Sequence, residues 1–213
     1  MMSRTNELDQ RYAASAALVR HGVEVVAVRD DLGKRFDVAV RSMYRLVQRD
    51  GPGVWDQLFV TAKSLRSRLI TDPTPIEYND RLKIAVDGVD RESRLLMGAV
   101  KEKDLLREIS DAATALYSRD PLLGGVLLMS LDEVGPESAI VIAASASSRE
   151  ALIAWLGPLG GRVLTLGDLE RTNVSVDIAY FVGPPRFFKP TAVTAPRTQE
   201  VTIIVPECFS DRA

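Results

Sequence analysis

The chain has 213 residues, of which 46% are hydrophobic and 26% charged, a composition that excludes intrinsic disorder and suffices for one or two domains. Its 27 basic and 29 acidic residues give a net charge of −2, which excludes a global attraction to nucleic acid or to anionic membranes. The lone cysteine, Cys208, excludes an intramolecular disulfide, and no apolar run approaches the roughly 18 residues of a membrane span. We therefore expect a soluble, cytoplasmic protein without membrane contact.

The amino-terminal part of the sequence predicts helices around one short strand. Residues 7–20 have helical periodicity, and the run HGVEVVAV predicts a strand that ends at Val28. The apolar face of that first helix is formed by Leu8, Tyr12, Ala16 and Val19. Apolar stripes over 36–47 and 55–69 predict two amphipathic helices, separated by the sequence GPG.

Two consecutive helices are predicted beyond Pro75, because Gly88 weakens the helical pattern between them. The second, helix 89–117, has an apolar face too broad to be left in water. That face is formed by Leu95, Leu96, Ala99, Val100, Leu105, Leu106, Ile109, Ala113 and Leu116. It must pack inside the protein or on something else, so a protein partner or self-association through helix 89–117 is expected.

The pattern changes near residue 120, where helical periodicity gives way to short apolar runs. We expect a mainly helical domain over 1–120 and an α/β sheet domain over 121–213. The runs VLLMSL, AIVIAAS, RVLTL, IAYFV and EVTIIV lack polar alternation, which is typical of strands buried on both faces. A helix between the second and third runs completes a βαβ unit. The predicted fold class is α/β, a helical domain followed by a mostly parallel sheet of about five strands.

The sequence contains no complete catalytic motif. It has no GxxxxGK followed by Ser or Thr, no GxGxxG after a strand and no GxSxG, so an enzyme is not the leading expectation and no cofactor is predicted. The only histidine, His21, falls at a predicted helix end. Ser147 and Glu150 match a capping box, which predicts a helix start there rather than a phosphate site.

Acidic residues follow several predicted strands. Asp132 and Glu133 follow VLLMSL, Asp168 follows RVLTL, and Glu207 follows the last strand. In a parallel sheet these carboxylates would meet at one edge, where they are weak candidates for a magnesium site. The alternative is that they cap turns and helices.

Basic residues are concentrated on two predicted helices. Arg41, Arg45 and Arg49 recur every four residues on the face away from Phe36 and Tyr44, and the next helix carries Lys63 and Arg66. Residues 29–68 hold 9 basic and 5 acidic groups, a surplus that would suit a phosphate backbone. The alternative is an ordinary solvated helix face.

The sequence GPPRFFK, residues 183–189, follows a predicted buried strand. Pro184 and Pro185 remove two amide donors that a phosphate-binding loop would use. The remaining residues, Arg186, Phe187, Phe188 and Lys189, suit stacking and cation contacts with bases or with a protein. The alternative is that both rings pack on the sheet and only the charges face solvent.

Residues 139–168, AIVIAASASSREALIAWLGPLGGRVLTLGD, follow the order strand, polar turn, helix, Gly turn, strand and Gly-Asp tail. This order resembles the opening of the second RecA-like domain of nucleic-acid helicases, which implies a RecA-like or Rossmann-like sheet. The later family signature of a glutamine and two arginines is absent, and Arg186 and Arg197 are the nearest arginines. The resemblance therefore implies a non-hydrolysing relic that docks on nucleic acid or on an active partner.

Three functions follow from these patterns. The first is a non-catalytic binding or scaffold subunit of a bacterial-type assembly that processes nucleic acid. In it, the Arg41 row and the Arg186 loop contact DNA or RNA and helix 89–117 contacts a protein. The second is a nucleotide-binding or small-molecule-binding Rossmann-like domain, enzymatic through Asp132, Glu133 and Asp168. The third is a purely structural component of a complex.

Overall fold

The computed structural model describes residues 4–51, 53–172, 176–194 and 196–210. In chain order its elements are helix α1 (Arg4–His21), strand β1 (Val23–Val28), helices α2 (Asp31–Asp50), α3 (Asp56–Thr71), α4 (Asp80–Leu96), α5 (Lys103–Leu116) and α6 (Leu122–Val134), strand β2 (Ala139–Ala143), helix α7 (Ala146–Leu156), strand β3 (Val163–Thr165), helix α8 (Leu166–Arg171), strand β4 (Ile178–Val182), helix α9 (Thr191–Thr194), strand β5 (Glu200–Pro206) and helix α10 (Glu207–Ser210). Within these described ranges, no helix is both long and apolar enough to cross a membrane.

The chain forms two compact units. One, the helical unit, comprises residues 29–121, and the other, the sheet unit, comprises residues 1–28 together with 122–213. Residues 1–28 thus group with the sheet, although the sequence pattern placed all of 1–120 in a helical domain. The physical reason is that β1 forms a parallel ladder with β5, with Val23 beside Val201 and Val28 beside Pro206.

The helical unit is built from α2 to α5 around one apolar core. Its largest fully buried side chains are Phe36, Met43, Leu58, Leu65, Ile70, Leu82, Leu106 and Ile109. Gly88 allows α3 and α4 to approach closely, because a Cβ atom there would lie 2.9 Å from Thr61 Cγ2. Asn79 caps α4, since its side chain accepts a hydrogen bond of 3.0 Å from the Leu82 amide.

The predicted helix 89–117 is two helices, because α4 ends at Leu96 and α5 begins at Lys103. The apolar residues of α5, including Leu106, Ile109 and Leu116, are buried in the core of the helical unit. Leu95, by contrast, is 68% exposed. The broad apolar face is therefore covered largely from within, and the partner expected for it stays a prediction.

The sheet unit is centred on five parallel strands in the order β1-β5-β4-β2-β3. Alternate residues of each central strand point to opposite sides. Val141 and Tyr180 pack with helices α6 and α7, whereas Ile142 and Phe181 pack with Leu18 of α1, Leu169 of α8 and Ala192 of α9. The predicted fold class, a helical region followed by a parallel α/β sheet, is confirmed.

The run VLLMSL is helical, so its assignment as a strand was wrong. It lies in α6, where Leu123, Leu127 and Leu131 recur every four residues on the buried face, while Met129 is 74% exposed. A short apolar run carries too little periodicity to separate a buried strand from one helix face. The fifth strand is instead β1, at the edge of the sheet.

Helix α1 packs on the sheet through a different face from the predicted one. Ala14 and Leu18 are buried, whereas Tyr12 and Val19 are 74% and 87% exposed. The Leu8 side chain lies outside the described part of the structure. The helix is rich in alanine, so it offers more than one weakly apolar face, and the face that carries Leu18 packs on the sheet.

Candidate functional site

The two predicted rows of basic residues meet between α2 and α3. The Asp37 carboxylate accepts the Arg66 Nε–H at 2.5 Å and forms a second ion pair with Arg41, one turn further along α2. The Asp37 side chain is 2% exposed, while those of Arg41 and Arg66 are 38% and 20% exposed. A buried carboxylate thus holds one guanidinium from each helix.

Two aromatic rings extend this contact along the same pair of helices. Tyr44 of α2 stacks on Phe59 of α3, with ring centroids 5.7 Å apart and planes 22° from parallel. Gln48 donates a hydrogen bond of 2.7 Å to the Tyr44 hydroxyl, and Tyr44 is 46% exposed. We call the set Asp37, Arg41, Tyr44, Phe59 and Arg66 the α2–α3 seam.

Two exposed cations flank the α2–α3 seam. Arg45 follows Tyr44 and lies one turn beyond Arg41, and Lys63 lies one turn beyond Phe59. With Arg41 and Arg66 they make four cationic side chains on the two helices; Asp37 is buried between Arg41 and Arg66, and the exposed Asp56 lies one turn before Phe59. Arg49, exposed in the last turn of α2, continues the row at a helix end where a cation also favours the helix dipole.

The loop after β4 divides its aromatic residues between the core and the solvent. Gly183 has a φ of +118° and donates its amide to the Ile204 carbonyl at 2.9 Å, which ties the loop to β5. Phe188 packs edge-on against Phe181 with centroids 4.9 Å apart. Phe187 is 41% exposed, and the Arg186 guanidinium lies 5.4 Å from its ring centroid. Phe188 thus packs on the sheet, as the alternative interpretation predicts for both rings. Phe187 is exposed beside a cation, as the stacking interpretation predicts.

Lys189 is engaged by a carboxylate on α8. Glu170 accepts a hydrogen bond of 3.0 Å from the Thr191 hydroxyl and one of 3.2 Å from Lys189 Nζ. The Thr191 hydroxyl, helped by Lys189, holds the pKa of Glu170 below its ordinary value. Arg197 also donates a hydrogen bond of 2.9 Å to the Glu170 main-chain carbonyl. Lys189 is thus part of a bridge between α8 and the segment before β5.

A pocket of about 260 Å³ lies between α8 and α9 within the sheet unit. Its lining combines an apolar floor with three polar side chains. The residues are Leu166, Leu169, Glu170, Thr191, Ala192, Pro196 and Arg197. Glu170 and Arg197 therefore face a cavity that no motif in the sequence points to.

Helix α7 begins two residues earlier than the predicted capping box. The N-cap is Ser145, whose hydroxyl accepts the Ser148 amide at 3.1 Å, so Ser147 and Glu150 do not form the box. Runs of serine make the register of such a cap ambiguous, since each hydroxyl is a suitable acceptor. The predicted helix start itself is present.

Asp168 has a structural role at the start of α8. It forms a capping box with Thr165, whose hydroxyl donates to the Asp168 carboxylate at 2.7 Å and accepts the Asp168 amide at 3.2 Å. The hydrogen bond from the Thr165 side chain, the one from its amide and the nearby Arg171 and Arg149 hold the pKa of Asp168 at about 2. Asp168 therefore caps a helix, which is the alternative to magnesium binding considered from the sequence.

The carboxylates considered for magnesium do not share one edge of the sheet. Asp132 and Glu133 lie in the last turn of α6, just before β2 begins, whereas Asp168 follows the end of β3. Asp132 and Glu133 are therefore near the end of the sheet where its strands begin. Since β2 and β3 are parallel, Asp168 is near the opposite end, where the strands finish. In the described part of the chain no group of three or more His, Cys, Asp or Glu side chains is placed to hold a metal ion.

The sequence analysis did not predict a role for two of these side chains, Asp37 and Glu170. Asp37 had a usable signal, since it stands four residues before Arg41 in the position of a helical ion pair. Glu170 had none, because Thr191 and Lys189 follow it by 21 and 19 residues and approach only through the fold.

The fold and its surfaces define a parallel five-stranded α/β domain combined with a helical unit. Comparison of the chain with models of protein families, with curated proteins and with solved structures finds no match. The class of protein is thus given by the sheet topology alone.

Proposed function

We propose that this protein is a non-catalytic, nucleic-acid-binding scaffold subunit of a cytoplasmic, bacterial-type assembly that processes DNA or RNA. The observation that carries the proposal is the α2–α3 seam with its flanking Arg45 and Lys63. Arg41, Arg66 and the stacked aromatic pair lie at the contact of α2 and α3 around Asp37, and helical spacing puts the exposed Arg45 and Lys63 one turn from them on the same two helices. Such a strip has the charge and spacing to follow a phosphate backbone.

Asp37 makes the strip better ordered than separate surface arginines. It holds the guanidiniums of Arg41 and Arg66 in fixed positions, so less side-chain entropy is lost when a phosphate binds. Arg45 and Lys63 add charge from more mobile, exposed positions.

The sheet unit supports a second, weaker nucleic-acid contact. Arg186 and Phe187 present a cation and an exposed ring after β4, a combination on which an unpaired base can stack. The unit β2–α7–β3 is a parallel strand–helix–strand, as the resemblance to the second RecA-like domain of helicases implies. We infer a non-hydrolysing relative of such domains, with nucleic acid held by surface cations rather than by a nucleotide loop.

The test uses cations whose removal leaves Asp37 paired. Binding of labelled single- and double-stranded DNA and RNA is measured by fluorescence anisotropy for the wild type and for Arg45→Ala/Lys63→Ala. Each lost phosphate contact weakens binding to double-stranded DNA about 8-fold at 0.1 M salt, so the double variant loses about 60-fold. The matched control is Lys83→Ala/Lys103→Ala, which removes two exposed lysines from α4 and α5.

Equal losses in both double variants mean that only the total charge matters, and they contradict a defined strip. Unchanged binding in Arg45→Ala/Lys63→Ala contradicts it as well. In either case the Arg186 and Phe187 contact is tested separately with Arg186→Ala/Phe187→Ala.

A further inference from the structure

The two edges of the sheet differ in how well they suit pairing with another chain. In the order β1-β5-β4-β2-β3 the edge strands are β1 and β3. Strand β3 has only three residues, and so short an edge offers little to a second strand. Strand β1 has six residues, VEVVAV, five of them apolar and none of them proline or lysine. Its Val25 is 45% exposed, and Ala27 is exposed as well. An edge of this kind is a template for one more strand.

The single charge of β1 does not block its edge. Glu24 lies beside Thr202 of β5, and its carboxylate accepts a hydrogen bond of 3.0 Å from the Thr202 hydroxyl. The charge is therefore held towards the neighbouring strand, whereas charged residues that protect a sheet edge lie across that edge. Glu24 is thus no barrier to a strand that pairs along the outer side of β1.

The helix that covers this end of the sheet has an apolar outer side. Helix α6 packs on β5 and β1. Its opposite side carries Leu122, Gly125 and Met129 at positions i, i+3 and i+7, all of them exposed, with Met129 at 74%. A helix that is apolar on both sides is normally buried on both. We therefore expect a second apolar surface to lie against α6.

A second copy of this chain matches both surfaces at once. A two-fold axis perpendicular to the sheet pairs the β1 strands of the two copies antiparallel and keeps both α6 helices on the same side of the joined sheet. Neighbouring strands are about 4.8 Å apart, so helices that lie over β5 and β1 in the two copies are about 10–14 Å from each other. Packed helices are about 8–10 Å apart, and the two long Met129 side chains can fill the remaining gap. An extended peptide would pair with β1 but leave α6 uncovered.

We propose that this protein forms a two-fold dimer through the edge of β1 and the outer side of α6, which joins two five-stranded sheets into one. The register places Val26 on the axis and pairs residues 24–28 of both copies. Glu24 then lies opposite Val28 of the second copy, and the two Glu24 side chains are about 13 Å apart along the strands, which limits their repulsion. The dimer uses the sheet unit and does not depend on nucleic-acid binding by the helical unit.

The first test measures the mass of the full chain in solution. Sedimentation equilibrium over a range of concentrations should show a species of twice the 23.4 kDa of one chain. Met129→Lys and Ala27→Lys should each raise the dimer dissociation constant about 10-fold or more, since each places a cation in the apolar contact. The matched control Ile84→Lys alters an apolar residue of α4 that is 69% exposed, and it should leave the constant within about 2-fold.

Three results of this test overturn the proposal. The first is the mass of one chain at every concentration. The second is a dimer that both Met129→Lys and Ala27→Lys leave intact, because its interface then lies elsewhere. The third is an equal loss in Ile84→Lys, which would mean that added charge anywhere disperses the chains.

The second test locates the strand pairing in a Cys208→Ser background, which removes the lone cysteine. Val26→Cys places two thiols at the axis, where opposite Cα atoms are about 4.5–5.5 Å apart, within the range of a disulfide. In the matched control Val25→Cys the two Cα atoms are about 8 Å apart, beyond the limit of about 7 Å, although Val25 is more exposed than Val26. Mild oxidation should therefore cross-link Val26→Cys and leave Val25→Cys as separate chains. Any other pattern overturns the proposal.

Discussion

Asp37 provides the sharpest test of how the helical unit holds its cations. Asp37→Asn keeps the shape of the side chain but removes the charge that faces Arg41 and Arg66. Removing one partner of a fully buried ion pair lowers the free energy of unfolding by about 3–5 kcal/mol. Because both arginines are partly exposed, water replaces some of the lost interaction, and we expect Asp37→Asn to lower the free energy of unfolding by about 2–3 kcal/mol. With a urea m-value of about 2 kcal/mol/M, the unfolding midpoint falls by about 1 M.

The chain offers a reporter for this change in the right unit. Trp55 is buried in the core of the helical unit, and Trp155 is buried in the sheet unit. In a Trp155→Phe background, tryptophan fluorescence reports on the helical unit alone, because the sequence has two tryptophans. Urea titrations of Asp37→Asn, Arg66→Gln and the double variant then give the coupling energy between the two side chains.

Asp56, exposed at the first residue of α3, supplies the matched control, since Asp56→Asn removes only a favourable interaction with the helix dipole and should lower stability by less than about 1 kcal/mol. A coupling energy near zero between Asp37 and Arg66 would refute the reasoning. So would an Asp37→Asn variant as stable as Asp56→Asn.

Three further predictions concern the sheet unit. Phe188→Ala should lower the free energy of unfolding by about 3 kcal/mol in urea titrations, while Phe187→Ala should lower it by only about 1 kcal/mol, because the first ring packs on Phe181 and the second is partly exposed. Gly183→Ala should destabilise by about 1–3 kcal/mol in the same assay, since its φ of +118° strains any side chain. The pKa of Asp168 is lowered to about 2, so its stabilisation is complete above about pH 4 and is lost as the pH falls towards 2. The stability difference between the wild type and Asp168→Asn should therefore stay constant from pH 7 to 5 and shrink below pH 4 in titrations at each pH.

Much of the sheet was predictable because its strands are short, apolar and bounded by turns. The runs that became β2, β3, β4 and β5 were all recognised, and so was the strand ending at Val28. VLLMSL failed because one face of a buried helix and a buried strand share the same composition over six residues. The pairing of β1 with β5 spans more than 170 residues, and no local pattern encodes it.

The candidate site was predictable only as separate helical rows. Periodicity placed Arg41 and Arg45 on one helix and Lys63 and Arg66 on another, because it reports the face of a single helix. The meeting of Arg41 and Arg66 at Asp37 depends on how α2 and α3 pack, which is a tertiary property. The pocket beside Glu170 and Arg197 depends on contacts between residues 21 and 27 positions apart, so it too required the fold.

The central claim, nucleic-acid binding by the α2–α3 seam and its flanking cations, is tested most directly by the salt dependence of binding. Association constants for labelled double-stranded DNA are measured from 50 to 200 mM salt for the wild type and for Arg45→Ala/Lys63→Ala. The account predicts a linear logarithmic plot whose slope becomes shallower by about 1.8 in the variant, about 0.9 for each lost phosphate contact. Identical slopes, or no binding by the wild type at 50 mM salt, would contradict it.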